Sequence, residues 1–252
     1  MGKLWDAAKG NVTFVLVCLL TFAVIAVLAK LFEKAFVKKR KAQGAQYIAY
    51  VAMFSAIGGV LMLMEIPLFF APSFYKMDLS ELPVMMCAFY LGPVAGVTAE
   101  FLKVFLKLLI KGTSTAFVGD YANFVVGCTL ILPASAIYHY RKTKSSAVVG
   151  MAVGTLVMTV FGSAFNALYL IPKFAQLFGL PIEVIVGMGT KVNSHIVSVG
   201  SLVLYAVVPF NLLKGVVVSF LTFLLYKRLE KLFFKEDKKW INSSPSSLQE
   251  GK

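Results

Sequence analysis

Residues 121–140 read YANFVVGCTLILPASAIYHY and contain no Asp, Glu, Lys or Arg. A helix of about 20 such residues crosses the roughly 30 Å hydrocarbon core of a bilayer. Five further uncharged runs occur, at 10–29, 42–64, 82–99, 145–172 and 192–213. Only helices and closed barrels satisfy their backbone hydrogen bonds in lipid, and barrel strands alternate over about 10 residues. Runs of this length therefore predict membrane helices.

The composition supports the same class of protein. Apolar residues make up 59% of the chain and charged residues 15%, whereas soluble domains average about half apolar and a quarter charged. This balance excludes an ordinary soluble domain, a disordered chain and a disulfide scaffold. We predict an all-α, polytopic membrane protein with seven helices, near 12–36, 45–65, 83–93, 95–111, 117–140, 146–170 and 198–232.

The positive charge is concentrated in three segments. The chain has 25 Lys and Arg against 12 Asp and Glu, a net charge of +13, which in a soluble domain would suggest nucleic-acid binding. Here the basic residues cluster at 30–41, 141–144 and 227–239. By the positive-inside rule these segments are cytoplasmic, which predicts an external N-terminus and a cytoplasmic C-terminus in a cell membrane.

The chain divides into three parts. Residues 1–41 form an extra N-terminal helix with a basic linker, residues 42–232 a six-helix membrane domain, and residues 233–252 a polar cytoplasmic tail that is disordered from 242 onwards. Lys3 and Lys9 before the first apolar run also fit a secretory signal peptide. The run of about 18 residues exceeds a usual signal core, and cleavage would leave the basic linker outside, so we favour a retained helix.

The sequence offers no recognisable catalytic or metal centre. Cys18, Cys87 and Cys128 lack metal-ligand spacing and are best interpreted as small packing residues. His139 and His195 each lack a second His or a Cys three or four residues away. Residues 187–191 lack the phosphate-loop spacing, and no nucleophile motif appears. An intramembrane enzyme using Glu100 or Asp78 as acid or base is therefore a remote alternative, and we predict neither enzymatic activity nor a resident cofactor.

Polar residues inside the last apolar run point to a binding site. Lys214 lies 13 residues before the basic cluster that starts at Lys227, about 20 Å along a helix, too far for its side chain to reach the cytoplasmic surface. A buried ammonium needs a partner or a wet cavity. Asn211 shares its helix face, and Pro209 should bend the helix and free a carbonyl. Asn166 lies in the preceding helix. The alternative for the asparagines is interhelical hydrogen bonding.

Two further groups have open interpretations. Glu100, Lys103, Lys107 and Lys111 share one helix face, and we favour a structural role, with an ion pair between Glu100 and Lys103, over ligand attraction. The connection 68–82 contains Phe69, Phe70, Phe74 and Tyr75. It is either a lid over the cavity or an interfacial aromatic belt.

Five segments in this order resemble the riboflavin-specific S components of energy-coupling factor (ECF) transporters. They are KMDLSELP (76–83), LGPVAG (91–96) followed by Glu100 and Lys103, YANFVVG (121–127), FNALY (165–169) and VPFNLLKG (208–215). The resemblance covers about residues 45–232, and the last segment is the most diagnostic of this vitamin.

The resemblance implies a substrate-binding protein of an importer. It captures riboflavin from outside and works with a transmembrane coupling protein and two ATP-binding cassette ATPases. Asn166, Asn211 and Lys214 match residues that hold the isoalloxazine ring, Asn123 lies in a motif near the site, and Asp78 is a weaker match. Small residues on the first core helix are implied to contact the coupling protein, here Ala45, Ala49, Ala52 and Ala56. Close packing within the bundle is the alternative for these alanines.

The chain departs from the family pattern at two places. The first helix has no counterpart in the six-helix core. The connection 172–197 is long, and we predict a short surface helix over 181–191. Three alternatives remain open at this stage: FMN as ligand, another vitamin, or a scaffold or adaptor protein in which the first helix has the main role.

Overall fold

The computed structural model describes residues 2–37, 42, 44–72, 74–113 and 117–241, with side chains placed from 12 to 226 within those ranges. The described chain is almost entirely helical. Its helices are α1 (Gly2–Phe36), α2 (Gly44–Leu63), α3 (Glu81–Leu91), α4 (Pro93–Lys111), α5 (Val118–Arg141), α6 (Lys144–Phe165), α7 (Ile171–Phe178), α8 (Ile182–Thr190), α9 (Val199–Leu202) and α10 (Val208–Ile241). Two short strands, β1 (Ile66–Pro67) and β2 (Lys76–Met77), pair antiparallel between α2 and α3.

A helix is present at each of the seven predicted positions. Within the described ranges, five helical segments are long and apolar enough to cross a bilayer, among them 144–178 and 199–226, and α3 and α4 do not belong to these five. The predicted surface helix over 181–191 is confirmed as α8. The last helix extends beyond the predicted end at 232 to Ile241; three of the nine added residues are Lys, which favours helix. The predicted disorder from 242 onwards and the basic residues 38–41 lie outside the described residues.

Two of the long helices change their winding before a proline. Asn166–Leu170 joins α6 to α7 and Val203–Val207 joins α9 to α10, both as π-helical turns. In these turns the N–H of Ile171 bonds to the carbonyl of Asn166, and that of Val208 to Val203, five residues earlier. Because Pro172 and Pro209 lack the N–H that would continue a regular α-helix, a widened turn precedes each of them.

Helix α3 is too short to cross a membrane. Its 11 residues span about 16 Å at 1.5 Å per residue. The helix therefore begins inside the bundle, and its first residue, Glu81, is 1% exposed. Gly92, at a φ of 122°, turns the chain from α3 directly into α4, whose first residue is Pro93. The glycine has the backbone freedom that this turn requires.

Helix α1 lies against α4 and α5 as an additional membrane helix. Its Phe22 ring contacts the rings of Phe101 and Phe124. The hydroxyl of Tyr121 donates a 2.8 Å hydrogen bond to Thr21 Oγ1. At the other end, the backbone N–H of Val94 donates a 3.1 Å hydrogen bond to the Glu33 carboxylate. These contacts attach α1 along the length of the core.

The four alanines of α2 face away from the bundle. Ala45, Ala49, Ala52 and Ala56 are all exposed, while Val51, Phe54 and Gly58 of the same helix are buried. Packing within the bundle, the alternative considered for these alanines, is therefore wrong. Helix α1 covers α4 and α5 instead and leaves the alanine face open.

Candidate functional site

A cavity of about 910 Å³, including the open space at its mouth, lies at the end of the bundle where α5 begins. The walls come from the hairpin between α2 and α3, from α5 to α8 and from α10. The lining includes Phe74, Tyr75, Lys76, Glu81, Ala122, Asn123, Val126, Gly127, Met158, Asn166, Leu170, Phe174, Ile185, Phe210, Asn211 and Lys214. The basic ends of α1 and α5 lie at the opposite end of the bundle, since Phe36 contacts Tyr140.

Lys214 forms the floor of the cavity and is held by two carboxylates. Its ammonium lies 2.9 Å from Glu81 Oε1 and 3.3 Å from Asp78 Oδ2. It also donates a long, 3.5 Å hydrogen bond to Asn123 Oδ1. The buried lysine that the sequence singled out is therefore paired, as a cation at membrane depth requires.

These groups belong to a larger set of buried charges, here termed the charge cluster: Asp78, Glu81, Glu100, Lys103 and Lys214. Lys103 lies 3.0 Å from Glu81 and 2.9 Å from Glu100, so the predicted contact between Glu100 and Lys103 is present. Asp78 accepts a 2.9 Å hydrogen bond from the backbone N–H of Ser80 and lies 3.3 Å from the Lys214 ammonium. Both donors favour its ionised form.

The two asparagines on the cavity wall differ in their hydrogen bonding. Asn166 donates a 2.7 Å hydrogen bond to the carbonyl of Gly162 and accepts one of 2.8 Å from the Tyr75 hydroxyl. The side chain of Asn211 is 3% exposed, and its amide nitrogen has no hydrogen-bond partner among the described residues. A buried donor without a partner destabilises a protein by about 1–3 kcal/mol. Asn211 is thus a position where a ligand acceptor would be favourable.

The β1–β2 hairpin, including the described residues between its strands, covers the cavity. Phe74 stacks on Phe174 at 5.9 Å, and Tyr75 contacts Phe210 at 5.5 Å. Phe69 points outward and is 92% exposed. The hairpin therefore provides a roof through Phe74 and Tyr75, whereas Phe69 is placed as an interfacial aromatic residue would be. Burial raises the pKa of Tyr75 above its usual value, so its hydroxyl remains a donor at neutral pH.

A surface ion-pair network fixes the base of the hairpin. Glu65 accepts hydrogen bonds from Lys76 at 2.9 Å and from Lys111 at 2.8 Å. Partial burial opposes ionisation of Glu65, but these two lysines outweigh it and lower its pKa. Lys107, which lies on α4 with Lys111, pairs with Asp120 at 2.6 Å. The outer lysines of α4 therefore have structural partners, in agreement with the favoured interpretation.

The structure brings together most of the residues singled out from the sequence. Asn123, Asn166, Asn211 and Lys214 all line the cavity. Asp78 lies behind Lys214 and is not part of the lining, so its contact with the site passes through that lysine. The four alanines are on α2, away from the cavity.

Sequence reasoning missed Glu81, which lies in the connection 68–82 and was not singled out as a site residue. In the structure Glu81 lines the cavity, and its Oε2 accepts no hydrogen bond from the described residues. A signal was available: two lysines inside apolar helices, Lys103 and Lys214, require more than the single acid Glu100. Glu81 was a nearby acid in the sequence that could supply the second negative charge.

The cavity combines flat apolar walls with one polar end. Phe74, Phe174 and Phe210 supply aromatic surface. At the polar end, Lys214 and Asn211 provide donors, and Glu81 provides a free acceptor oxygen. Such a site suits a planar ligand whose edge alternates hydrogen-bond acceptors and donors.

Comparison with known proteins gives one consistent family. The sequence model of the family described as "ECF transporter, substrate-specific component" matches residues 46–226. A curated relative, the riboflavin transporter RibU of Staphylococcus aureus (strain TCH60), is 31% identical over 192 residues, 76% of this chain and 94% of the relative. The riboflavin transporter FmnP of Bacillus subtilis (strain 168) is 28% identical over 201 residues, 79% of this chain and 96% of the relative.

A solved structure has the same fold. The S component of a bacterial ECF transporter matches with a TM-score of 0.60 and 30% identity, covering 75% of this chain and 98% of that chain. The matched family region begins at residue 46, after α1. The family match spans α2 to the membrane part of α10. The chain therefore belongs to the substrate-specific components of ECF transporters.

Proposed function

We propose that this chain is the substrate-binding component of an ECF importer that captures riboflavin from outside the cell. The observation that carries the proposal is the polar end of the cavity. The pyrimidine edge of the flavin ring presents an acceptor, a donor and an acceptor in sequence. Lys214 and Asn211 offer donors for the two carbonyls, and the free oxygen of Glu81 offers an acceptor for the N–H between them. The names of the two curated relatives support the same ligand.

The charges of the cavity favour an uncharged flavin over its phosphate ester. Both lysines that line the cavity are paired with carboxylates, Lys76 with Glu65 and Lys214 with Glu81. A phosphate dianion would have to displace one of these carboxylates or remain unpaired, which is costly in a partly buried site. We therefore propose riboflavin rather than FMN as the preferred ligand, transported rather than kept as a cofactor.

Direct binding measurements test the ligand. The purified protein should carry the absorption of bound flavin or quench the fluorescence of added riboflavin with saturation, and FMN should compete more weakly. Absence of bound flavin together with absence of quenching would refute the proposal. Equal competition by FMN and riboflavin would refute the preference alone, and tight binding of an unrelated vitamin would replace the ligand.

The transport cycle requires other subunits, because a substrate-specific component supplies the ligand site only. We propose that a transmembrane coupling protein contacts the open alanine face of α2, where small side chains allow close helix approach. Two ATPase subunits would then drive release inward. Ala49→Leu with Ala52→Leu should abolish uptake and co-purification of the coupling protein while leaving riboflavin binding intact. Loss of binding in the same variant would contradict this assignment.

The orientation follows from charge. We propose that the cavity faces outward and that the basic ends of α1, α5 and α10 face the cytoplasm of a bacterial cell. Labelling of single cysteines placed at Gly187 and at Lys144 by an impermeant reagent on intact cells should mark only the first. No enzymatic role is proposed, and transport accounts for the site.

The first helix distinguishes an importer from an adaptor. If the chain were mainly a scaffold, deletion of residues 1–40 would abolish complex assembly and leave riboflavin binding unaffected. The proposed function also predicts that the shortened protein binds riboflavin. It differs in predicting that this protein still supports uptake when it is produced at the level of the full chain.

A further inference from the structure

Glu100 is a buried acid that the proposed function does not use. It is 0% exposed in the middle of α4. The titratable groups that face it are Lys103 on its own helix, Glu81 from α3, Lys214 from α10 and Cys128 from α5. On its remaining side the carboxylate lies against Gly127 of α5, where an added Cβ would overlap it.

The charge cluster does not balance when all its members are ionised. It holds three carboxyl groups, on Asp78, Glu81 and Glu100, against the ammonium groups of Lys103 and Lys214. The nearest further lysine of α4, Lys107, is matched by its own partner, Asp120. A net negative charge inside a membrane protein is strongly unfavourable unless it is neutralised. One proton bound to the cluster would make it neutral.

Hydrogen-bond geometry indicates which of the three carboxyl groups holds that proton. Asp78 accepts hydrogen bonds from the N–H of Ser80 and from Lys214. Glu81 Oε1 lies 3.0 Å from Lys103 and 2.9 Å from Lys214.

Glu100 is much less well supported as an anion. Its Oε1 has one charged partner, Lys103 at 2.9 Å, and its Oε2 accepts no hydrogen bond from the described residues. The ammonium of Lys103 instead donates to Ser80 Oγ at 2.8 Å and to Glu81 Oε1 at 3.0 Å. The carboxyl group with the fewest donors is the one whose neutral form is least costly.

We infer that Glu100 is a proton-binding site beneath the ligand cavity, occupied in the resting protein at neutral pH, so that the charge cluster is electrically neutral. The site is adjacent to the cavity at two points. Gly127, which touches Glu100, lines the cavity, and Lys214 belongs both to the cluster and to the cavity floor.

Loss of this proton has a consequence for the ligand, which rests on the proposed function. The added negative charge would attract the Lys214 ammonium toward the carboxylates and weaken its hydrogen bond to the flavin. Riboflavin affinity should therefore fall as the pH is raised and Glu100 ionises. Glu100→Gln, which keeps a neutral side chain of the same shape, should remove this pH dependence.

Infrared difference spectroscopy tests the proton site without any flavin. At neutral pH the full-length protein should show the carbonyl band of a protonated carboxyl group, which shifts in ²H₂O. Glu100→Gln should abolish the band, and Asp120→Asn, which removes a paired acid elsewhere, should leave it. Absence of the band in the unmodified protein, or its persistence in Glu100→Gln, would overturn the inference.

Thermal stability gives a second readout with a matched pair of variants. Glu100→Gln should melt within about 2 °C of the unmodified protein at neutral pH, because it imitates the resting state. Glu81→Gln should melt much lower, since it removes the anion that pairs with both lysines. A large loss in Glu100→Gln would mean that Glu100 is ionised in the resting protein and would refute the proposal.

The binding measurement separates the two proposals. A band that depends on Glu100 in a protein without flavin affinity would refute the proposed function and leave the proton site standing. Riboflavin affinity that declines with pH equally in Glu100→Gln and in the unmodified protein would refute the coupling to Lys214.

Discussion

The hydroxyl of Tyr75 donates a 2.8 Å hydrogen bond to the side-chain oxygen of Asn166, across 91 positions of sequence. It joins the hairpin that covers the cavity to the π-helical turn in the cavity wall. The turn begins at Asn166 because Pro172 interrupts the regular helix a few residues later. The proline thus positions Asn166, the hydrogen-bond acceptor to which the hairpin is attached.

Removal of this bond should make the roof easier to open. Tyr75→Phe keeps the ring contact with Phe210 and loses one neutral hydrogen bond, worth about 0.5–1.5 kcal/mol. We expect riboflavin to dissociate roughly 2–13-fold faster, measured by stopped-flow recovery of flavin fluorescence. Tyr205→Phe, on an exposed tyrosine outside the cavity lining, is the control. Identical dissociation rates in all three proteins would contradict a role of this bond in retention.

The amide of Asn211 should contribute to affinity more than to stability. Because its nitrogen has no partner among the described residues, Asn211→Ala removes an unsatisfied donor and should leave the melting temperature nearly unchanged. Loss of a hydrogen bond to the ligand of about 1–3 kcal/mol should weaken riboflavin binding roughly 5–150-fold. A calorimetric Kd and a melting curve measure the two effects.

Asn193→Ala provides the matched control, since Asn193 accepts a hydrogen bond from the N–H of His195 in a surface turn. This control should bind riboflavin normally. A large drop in melting temperature with unchanged Kd in Asn211→Ala would show that the side chain has a structural role instead.

Much of the fold was predictable because it depends on length and hydropathy. The six uncharged runs identified the long apolar helices of the described chain, since backbone groups in lipid allow few alternatives. Asn166, Asn211 and Lys214 were identifiable for the same reason, as polar groups where apolar ones are expected. The pairing of Glu100 with Lys103 followed from helical spacing.

The depth of α3 was not predictable in this way. The segment 76–82 carries three charged residues and resembles an external loop, but the short helix places Asp78 and Glu81 inside the bundle. Hydropathy assigns a charged segment to water unless its partners are known, and the partners Lys103 and Lys214 come from distant helices. The exposure of the α2 alanines likewise depends on where α4 and α1 pack, which local sequence does not specify.

The contact between Gly127 and Glu100 leaves no room for a side chain. A Cβ at position 127 would overlap the Glu100 carboxylate, so Gly127→Ala must displace a buried acid and disturb the cavity wall. We expect a loss of about 1–3 kcal/mol in stability and weaker riboflavin binding, measured by thermal unfolding and titration. Gly187→Ala, where an added Cβ meets nothing within 4 Å, should be neutral. Equal behaviour of the two variants would contradict this packing.

Glu65 gives the hairpin a defined pH dependence. Its pKa is lowered by Lys111 and Lys76, so its contribution to stability is fully present above the pKa of the unfolded state, near 4.3. That contribution is lost as the pH falls through the lowered folded-state pKa. Between about pH 5 and 8 the ion pairs of Glu65 should therefore persist. Titration of Glu65 should cause no change in the rate of riboflavin dissociation over this range.

Glu65→Gln should imitate the acidic state at every pH. Since both lysines are nearly half exposed, the pairs contribute at most about 1 kcal/mol each, and dissociation should accelerate by no more than roughly 5–30-fold. The acceleration should shrink in high salt, which screens the unmodified pairs. Glu183→Gln, at an exposed position of α8, is the control. Acceleration that is independent of salt would rule out an electrostatic attachment of the hairpin.

Glu33 links the extra helix to the core at the end opposite the cavity. Its carboxylate accepts a hydrogen bond from the N–H of Val94 in the first turn of α4, where a negative charge interacts favourably with the helix dipole. Glu33→Ala should reduce stability by about 1 kcal/mol and the melting temperature by roughly 2–4 °C. Riboflavin affinity should not change, because the capped turn lies at the far end of α4 from the ligand.

The adjacent residue allows a matched comparison for this last variant. Lys34 is exposed on α1, so Lys34→Ala should preserve both the melting temperature and the Kd. Glu33→Gln should lie between Glu33→Ala and the unmodified protein, because the amide oxygen keeps a hydrogen bond but loses the charge. If Glu33→Ala weakened riboflavin binding without lowering stability, α1 would act on the cavity itself, and its description as a helix that supports α4 from outside would be wrong.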